Sequence, residues 1–343
     1  MKVLQAMAGA EHGGAEAFFT RLAIALEKAG LDQRIVIRSD SKRVTELRDG
    51  GIEPVQMRFG GGLDFTTKFD LKREIGQYKP DIVLTWMNRA TDKCPSGDFI
   101  HVARLGGYYD LKYYQQCDHL IGNTPDIVQY LTGEGWPRDK AHYLSNFVSD
   151  DAAPPLSRSD LYIPNGATVL LAMGRLHENK AFDVLFEAIE RMPEAYLLLA
   201  GEGPLRDELK AKAERLGVKP RVRFLGWRDD TAALLATCDV FICPSRHEPL
   251  GNVVVEAWAH SAPVIAAASQ GPSMLIQDSE NGVLFPIDDS KALNAAIKRV
   301  IADDDLRGKI ASNGRVSYEK DFTEARVVEK YMNFFKGLVE AER

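Results

Sequence analysis

The sequence predicts an α/β protein made of two similar halves in tandem, each a parallel sheet covered by helices on both faces. Three observations lead there. Short apolar runs alternate with amphipathic stretches along most of the chain. A strand, a glycine loop and a helix open it, at residues 1–7, 8–16 and 17–29. The same unit returns at residues 168–173, 174–180 and 181–191. With 343 residues to divide, each half can bury a core of its own.

In the first half, the opening helix carries Phe18, Leu22, Ala25 and Leu26 at helical spacing, and Gly30 closes it. A glycine loop before a helix lets backbone amides approach a phosphate. Here the pattern is not G-x-G-x-x-G, which disfavours a nicotinamide cofactor; read alone, Gly13-Gly14 is equally a plain turn. Further strands are expected at 33–37, 54–57, 81–86, 99–103 and 119–122, with helices at 71–78 and 125–131. Thr124-Pro125 reads as an N-cap followed by proline at the first helical position. Residues 33–79 hold ten Lys or Arg against seven Asp or Glu, interleaved with Phe59, Phe65, Phe69 and Tyr78. Tyr108, Tyr109, Tyr113 and Tyr114 form a second aromatic cluster. Each cluster is either a solvated helix face with aromatics in the core, or a surface for a lipid headgroup or sugar acceptor.

The polar, proline-containing stretch 150–159 reads as a linker, which sets domains at 1–150 and 151–322 and leaves 323–343 as a closing segment. Strands follow at 168–173, 195–200, 222–225 and 240–243, and helices at 207–216, 290–302 and 304–314. In the last helix, 324–339, Val327, Val328, Tyr331, Phe334 and Phe335 make an apolar stripe that reads as core packing.

The chemistry concentrates between Asp239 and Ala259. Val240 to Cys243 reads as a buried strand, Pro249-Leu250-Gly251 as a turn, and from Asn252 the pattern is helical. Glu248 lies in the loop and Glu256 inside the helix. At a rise of ~1.5 Å per residue Glu256 sits ~6–8 Å from the helix start. Both carboxylates can therefore reach one ligand lying across the helix N-terminus. Its free N–H groups and partial positive charge suit a phosphate or a sugar hydroxyl. Two carboxylates would repel a bare anion, so they suit a ligand carrying hydroxyls beside its phosphates, such as a nucleotide sugar. The bland alternative is one solvated loop carboxylate and one helix-favouring glutamate. Arg175 and Lys180, in the loop after a strand, can hold a diphosphate, Arg as a planar fork and Lys as a mobile point charge. They are otherwise surface cations at a turn.

The run Glu248-Pro-Leu-Gly-Asn-Val-Val-Val-Glu256 resembles the E-x7-E signature of family 4 glycosyltransferases. Gly174-Arg175-Leu-His-Glu-Asn-Lys180 resembles the family's G-R-L…K-G motif, with Ala181 where glycine is usual. The resemblance covers most of residues 165–290 and is looser over the first 150. It implies two Rossmann-like domains facing across a cleft (the GT-B fold), with the last helix packed back on the first domain. It also implies a retaining hexosyltransferase that takes a UDP- or GDP-linked sugar as donor substrate and needs no cofactor. By the same resemblance Arg175 and Lys180 neutralise the leaving diphosphate, Glu248 binds the donor sugar and Glu256 the ribose. Gly251, Asn252 and Val253 present backbone amides, Gly13 and Gly14 face the diphosphate, and Gly226-Trp227 lies at the base. Read from composition alone, Trp227 could be core. No D-x-D manganese motif stands in a donor-loop setting, so no metal is expected. The implied acceptor is a glycan or lipid-linked sugar, of lipopolysaccharide-core type, met at the inner face of a membrane.

Two departures stand out. Where the family carries a His after a central strand of the first domain, this chain reads Val102-Ala-Arg104-Leu-Gly106-Gly107, and His101 points elsewhere by strand alternation. Asn88, Arg89 and Arg104 are then the acceptor-side candidates. After Gly271-Pro272 the family's usual Glu is replaced by Ser273. An epimerase of the same architecture and a non-catalytic nucleotide-sugar-binding subunit remain as alternatives. A net charge of −6 argues against a general nucleic-acid binder. No run approaches the ~20 apolar residues of a membrane span. The first residues already read as a strand, and the four cysteines show no C-x-x-C pair, so a cytoplasmic protein with reduced thiols is expected.

Overall fold

The computed structural model describes residues 1–10, 13–60, 64 and 66–342. Glu11 and His12 of the first glycine loop, and Phe65 of the basic and aromatic stretch, lie outside them. The chain divides into two compact units, Met1–Phe147 with Glu324–Arg343, and Val148–Thr323.

The first unit runs β1 (Lys2–Met7), α1 (Gly14–Lys28), β2 (Asp32–Arg38), α2 (Ser41–Asp49), β3 (Val55–Met57) and α3 (Thr66–Tyr78). It continues through β4 (Ile82–Trp86), α4 (Met87–Lys93), β5 (Ile100–Leu105), β6 (His119–Gly122), α5 (Pro125–Gly133) and β7 (Ala141–Tyr143). The sheet order is β3-β2-β1-β4-β5-β6-β7, with every pairing parallel. Along each strand alternate side chains go to opposite faces. Val3, Met7, Ile35 and Leu84 join one core with Phe18 and Leu22 of α1, while Leu4, Ala6, Val36 and Val83 join another with Leu71 and Ile75 of α3. Thr124 caps α5 by accepting from the Ile127 N–H at 3.1 Å, with Pro125 in the first turn.

Two helices begin earlier than periodicity indicates. α1 starts at Gly14 because Glu16 folds back and accepts the Ala10 N–H at 2.8 Å. α3 starts at Thr66, not at residue 71, because Asp64 accepts from the Thr67 N–H at 3.1 Å and from the hydroxyls of Thr66 and Thr67. α2 went unread among the charges of 33–79; Asp40 caps it, accepting from the Arg43 N–H at 2.8 Å.

His101 is 4% exposed, its ring between the Thr85 hydroxyl at 3.1 Å and the Gln116 carbonyl at 3.3 Å. Burial lowers its pKa from 6.5 to about 4 against the opposing pull of Gln116 and Asp118. Its folded pKa lies below the unfolded one, so its contribution is complete above pH 6.5 and lost as pH falls towards 4. His142 shifts the same way, also to about 4, by burial and by His119 beside it. Urea unfolding should therefore show stability falling between pH 6.5 and 4 by up to ~1.4 kcal/mol per pH unit for His101, and by less for the half-buried His142, whose charge water screens. His101→Gln should flatten that slope by its share.

The second unit runs β8 (Thr168–Met173), α6 (Phe182–Glu190), β9 (Ala195–Ala200), α7 (Arg206–Arg215), β10 (Val222–Gly226), α8 (Thr231–Thr237) and β11 (Val240–Cys243). α9 (Asn252–Ala259), β12 (Val264–Ala267), α10 (Gln270–Leu275), β13 (Val283–Phe285), α11 (Ser290–Ala302) and α12 (Asp304–Asp321) complete it. Its parallel sheet has the order β10-β9-β8-β11-β12-β13. Leu170, Leu197 and Ile242 face one core and Leu171, Leu198 and Phe241 the other. α12 does not stop at Gly314 but runs on to Asp321. That glycine is there for space, since a Cβ would lie 2.4 Å from the Trp258 ring. The stretch 150–159 is tied to the second unit. Leu156 N–H donates to the Thr237 hydroxyl at 2.8 Å, and Arg315 pairs with Asp150 at 2.8 Å.

The last helix, α13 (Glu324–Ala341), belongs to the first unit. Val327, Tyr331 and Phe335, all fully buried, enter the core that holds α1. Arg104 on β5 is 4% exposed. Its Nε–H donates to the Tyr331 hydroxyl at 2.8 Å, a second N–H donates to Asn146, and the guanidinium stacks on Phe18 and Trp86. Among the acceptor-side candidates Arg104 is therefore corrected to an internal strut, enclosed and held by Tyr331 and Asn146. Among the described residues no helix is long and apolar enough to cross a membrane.

Candidate active site of the second unit

β8 lies between β9 and β11, so the sheet order reverses there and the loops leaving β8 and β11 diverge. Ligands of open parallel sheets bind outside the carboxyl ends of strands at such a reversal. The loop after β8 carries Arg175 and Lys180; the loop after β11 carries Glu248.

Backbone bonds fix the first of these loops to its neighbours. Gly174 N–H donates to Ala200 at 3.0 Å, Leu176 N–H to Glu202 at 3.0 Å and Gly201 N–H to Gly226 at 2.7 Å. The approach is so close that a Cβ on Gly201 would stand 1.9 Å from the Gly174 oxygen, at a φ of +144°. The sequence showed Gly174, Gly201 and Gly203 only as strand ends; glycines at the carboxyl ends of adjacent strands were the available signal. Between Lys180 and α6, Ala181 is buried in the left-handed conformation, φ 50° and ψ 36°. The family's glycine is thus replaced where the backbone most favours glycine, at a cost of about 1–2 kcal/mol.

Lys180 and Glu248 form a salt bridge with both side chains largely enclosed. Burial opposes the Lys180 charge, but Glu248, Cys243 and Glu256 outweigh it and hold its pKa above the usual lysine value. One ammonium thus feels both carboxylates of the E-x7-E run. Ser245, 2% exposed, donates to Glu248 at 3.4 Å, and its hydroxyl lies 3.6 Å from the Cys243 sulfur. Burial, seconded by Glu248, pushes the Cys243 thiol up to about 11, which keeps it neutral.

Arg246 ties the two loops together. It forks onto Asp183 of α6 at 2.7 and 3.0 Å, donates to the Glu178 carbonyl at 2.9 Å and pairs with Asp288. His247 N–H adds a bond to the Asn179 carbonyl at 3.2 Å. Sequence reading missed Arg246, whose partners come from separate stretches of chain.

Gly251 enters α9 in the left-handed conformation, φ 72° and ψ 28°, with no side-chain cap. Asn252 and Val253 occupy the first two helical positions, whose N–H groups precede the intrahelical bonds. Gly271 N–H closes on the Glu248 carbonyl at 2.7 Å; a Cβ there would lie 2.6 Å from Leu250. Glu256, one turn into α9, is half-buried.

Arg175 is exposed on the same loop as Lys180, and no hydrogen bond or ion pair ties it to another described residue. Gly226 ends β10 at φ +71°. Trp227 is 74% exposed, its indole N–H on Asp229 at 3.0 Å; the alternative that it is core does not hold. In the first unit Gly13 and Gly14 stand exposed at the start of α1. Asn88 accepts from the Tyr114 hydroxyl, and Arg89 donates to the Phe59 carbonyl at 3.2 Å. Among the described residues there is no cluster of three or more metal-ligating side chains.

Residues 155–317 match the family model described as glycosyl transferases group 1, and residues 12–152 the model described as glycosyltransferase family 4. The chain is 35% identical to the lipopolysaccharide core biosynthesis glycosyltransferase LpsE of Rhizobium meliloti, over 93% of this chain and 95% of that one. It is 34% identical to LpsD of the same organism, over 98% of each. Among solved structures it is similar to the Anabaena protein HepE in complex with UDP and glucose, with a TM-score of 0.84 at 22% identity. That match covers 98% of this chain and all of the other.

Proposed function

The chain belongs to family 4 of the glycosyltransferases and has the two-unit Rossmann-like GT-B fold, and from that premise we propose a specific reaction. The enzyme moves a hexose or N-acetylhexosamine from a UDP- or GDP-linked donor to a glycan or lipid-linked acceptor of lipopolysaccharide-core type, retaining the anomeric configuration. The carrying observation is the enclosed Lys180–Glu248 pair, with Glu256 acting on the same ammonium, beside the exposed Arg175. The relatives named for lipopolysaccharide core synthesis support the acceptor class, and the UDP-bound neighbour supports the donor class.

In this reading the bond between the anomeric carbon and the diphosphate oxygen breaks, its electron pair leaving with the diphosphate. An acceptor hydroxyl oxygen bonds to that carbon, and its proton passes to the departing diphosphate oxygen. Negative charge grows on the departing oxygen, so cations fixed in place before reaction favour the transition state over the bound donor. Lys180 and Arg175 fill that role, and no metal or cofactor enters. Glu248 orients both Lys180 and the sugar, Glu256 takes the ribose hydroxyls, and the amides of Gly251, Asn252 and Val253 meet sugar and phosphate. Trp227, beside Gly226, lies over the base. Asn88 and Arg89 of the first unit serve the acceptor side, and a lipid-linked acceptor places the protein at the cytoplasmic membrane face.

Calorimetric titration with UDP, GDP and ADP tests the donor class, and the sugar forms of the winner then test transfer. Arg175→Ala should lower kcat about 10²–10³-fold while leaving the second unit's melting temperature in place, since its guanidinium holds no other described residue. Binding of none of the three nucleotides would overturn the reading.

A further inference from the structure

Among the described residues, two enclosed side-chain atoms have no hydrogen-bond partner, and one is the amide oxygen of Asn123. Asn123 is 4% exposed and follows β6 directly, at the carboxyl edge of the first unit's sheet. No described residue bonds to its amide nitrogen either. Buried polar atoms are almost always paired, so the enclosed oxygen of Asn123 calls for an absent partner. The next residue is engaged: Thr124 caps α5.

The surroundings say what that partner is. Gly106, just past β5, lies beside the amide with no side chain of its own; a Cβ there would touch the Asn123 nitrogen at 3.5 Å. Tyrosines frame the next turn. The Tyr108 hydroxyl donates to Asp126, its ring stands edge-on to Tyr130 at 5.3 Å, and the Tyr130 hydroxyl donates to the Tyr109 carbonyl at 3.1 Å. The charges acting on the two tyrosines are acidic, Asp126 on Tyr108 and Glu16 on Tyr109, while the nearby Lys112 is paired with Asp110 at 2.7 Å. A phosphate is disfavoured there. A neutral polyol fits, because aromatic rings take its C–H face and a free amide offers both a donor and an acceptor to its hydroxyls. Either end of the amide can turn outward by a half-turn of its last torsion, since nothing holds it.

We propose that Asn123, beside Gly106 at the carboxyl edge of the first unit's sheet and next to the turn that carries Tyr108 and Tyr109, hydrogen-bonds a hydroxyl of the acceptor sugar. This rests on the transferase reading and gives the acceptor a residue that the missing family histidine left unassigned. The test uses the full chain with de-acylated lipopolysaccharide core oligosaccharide as probe, and Asn123→Leu, similar in shape without polar atoms. The variant should melt no lower than wild type, because it removes an unpaired buried amide. Its UDP titration should be unaltered. Its KM for the oligosaccharide should rise at least about tenfold, and saturation-transfer signals from the probe's ring protons should fall with it. An unchanged acceptor KM would mean that the amide holds only a water molecule and would overturn the proposal. So would a lowered melting temperature with unchanged KM, or the absence of probe saturation on wild-type protein. Failure of UDP to bind wild type would instead sink the transferase reading on which this one stands.

Discussion

Lys180→Ala is expected to lower the transfer rate about 10²–10³-fold and, at the same time, to destabilise the second unit. The two losses have different causes. The rate falls because a cation aimed at the leaving diphosphate is gone. Stability falls because Glu248, 8% exposed, keeps its charge with no ammonium beside it. Breaking a buried pair from one side costs about 3–5 kcal/mol. Removing both charges together avoids that penalty, so Lys180→Met combined with Glu248→Gln should regain most of the lost melting temperature. It should regain none of the rate. Equal activity in the double variant and the wild type would show that the pair is scaffolding, and would remove the chemical reading of both residues.

Gly201→Ala should be the most damaging single-methyl change in the second unit. The added carbon would stand 1.9 Å from the Gly174 oxygen, and the backbone there, at φ +144°, suits glycine alone. Overpacking and backbone strain together make the expected loss about 2–6 kcal/mol. Gly217→Ala is the control. Its φ is also positive, +66°, but nothing lies within 4 Å of the new methyl, so about 1–2 kcal/mol is expected. Urea unfolding of the two variants separates crowding from conformation. Similar losses would mean that the contact between the loops after β8 and β9 yields easily.

The alternation of buried runs and amphipathic stretches made both sheets legible, because a parallel strand covered on two faces must be apolar almost throughout. Lys180, Glu248 and Glu256 were legible for a local reason: the latter two share one loop and helix, and Lys180 follows the neighbouring strand. Arg246 was not, because its partners reach it from two distant stretches, Glu178 with Asp183 on one side and Asp288 on the other. Arg104 looked like an exposed cation at a strand end, and only the return of α13 reveals what encloses it. The helix expected at 304–314 ended at Gly314 because local propensity carries no record of the Trp258 ring on α9. Asn123 drew no notice at all, since an amide's idleness becomes visible only when every neighbour is accounted for.

α13, which covers one face of the first unit, is separated from the rest of that unit by the whole of the second, so that face stays open until residues 324–341 are made. While residues 148–323 emerge from the ribosome, the apolar face that Val327, Tyr331 and Phe335 will cover has no lid. A nascent chain halted anywhere before residue 324 displays that greasy patch, and with it the Arg104 guanidinium stripped of its tyrosine. Translation through α13 is thereby made a condition for covering this apolar face of the first unit.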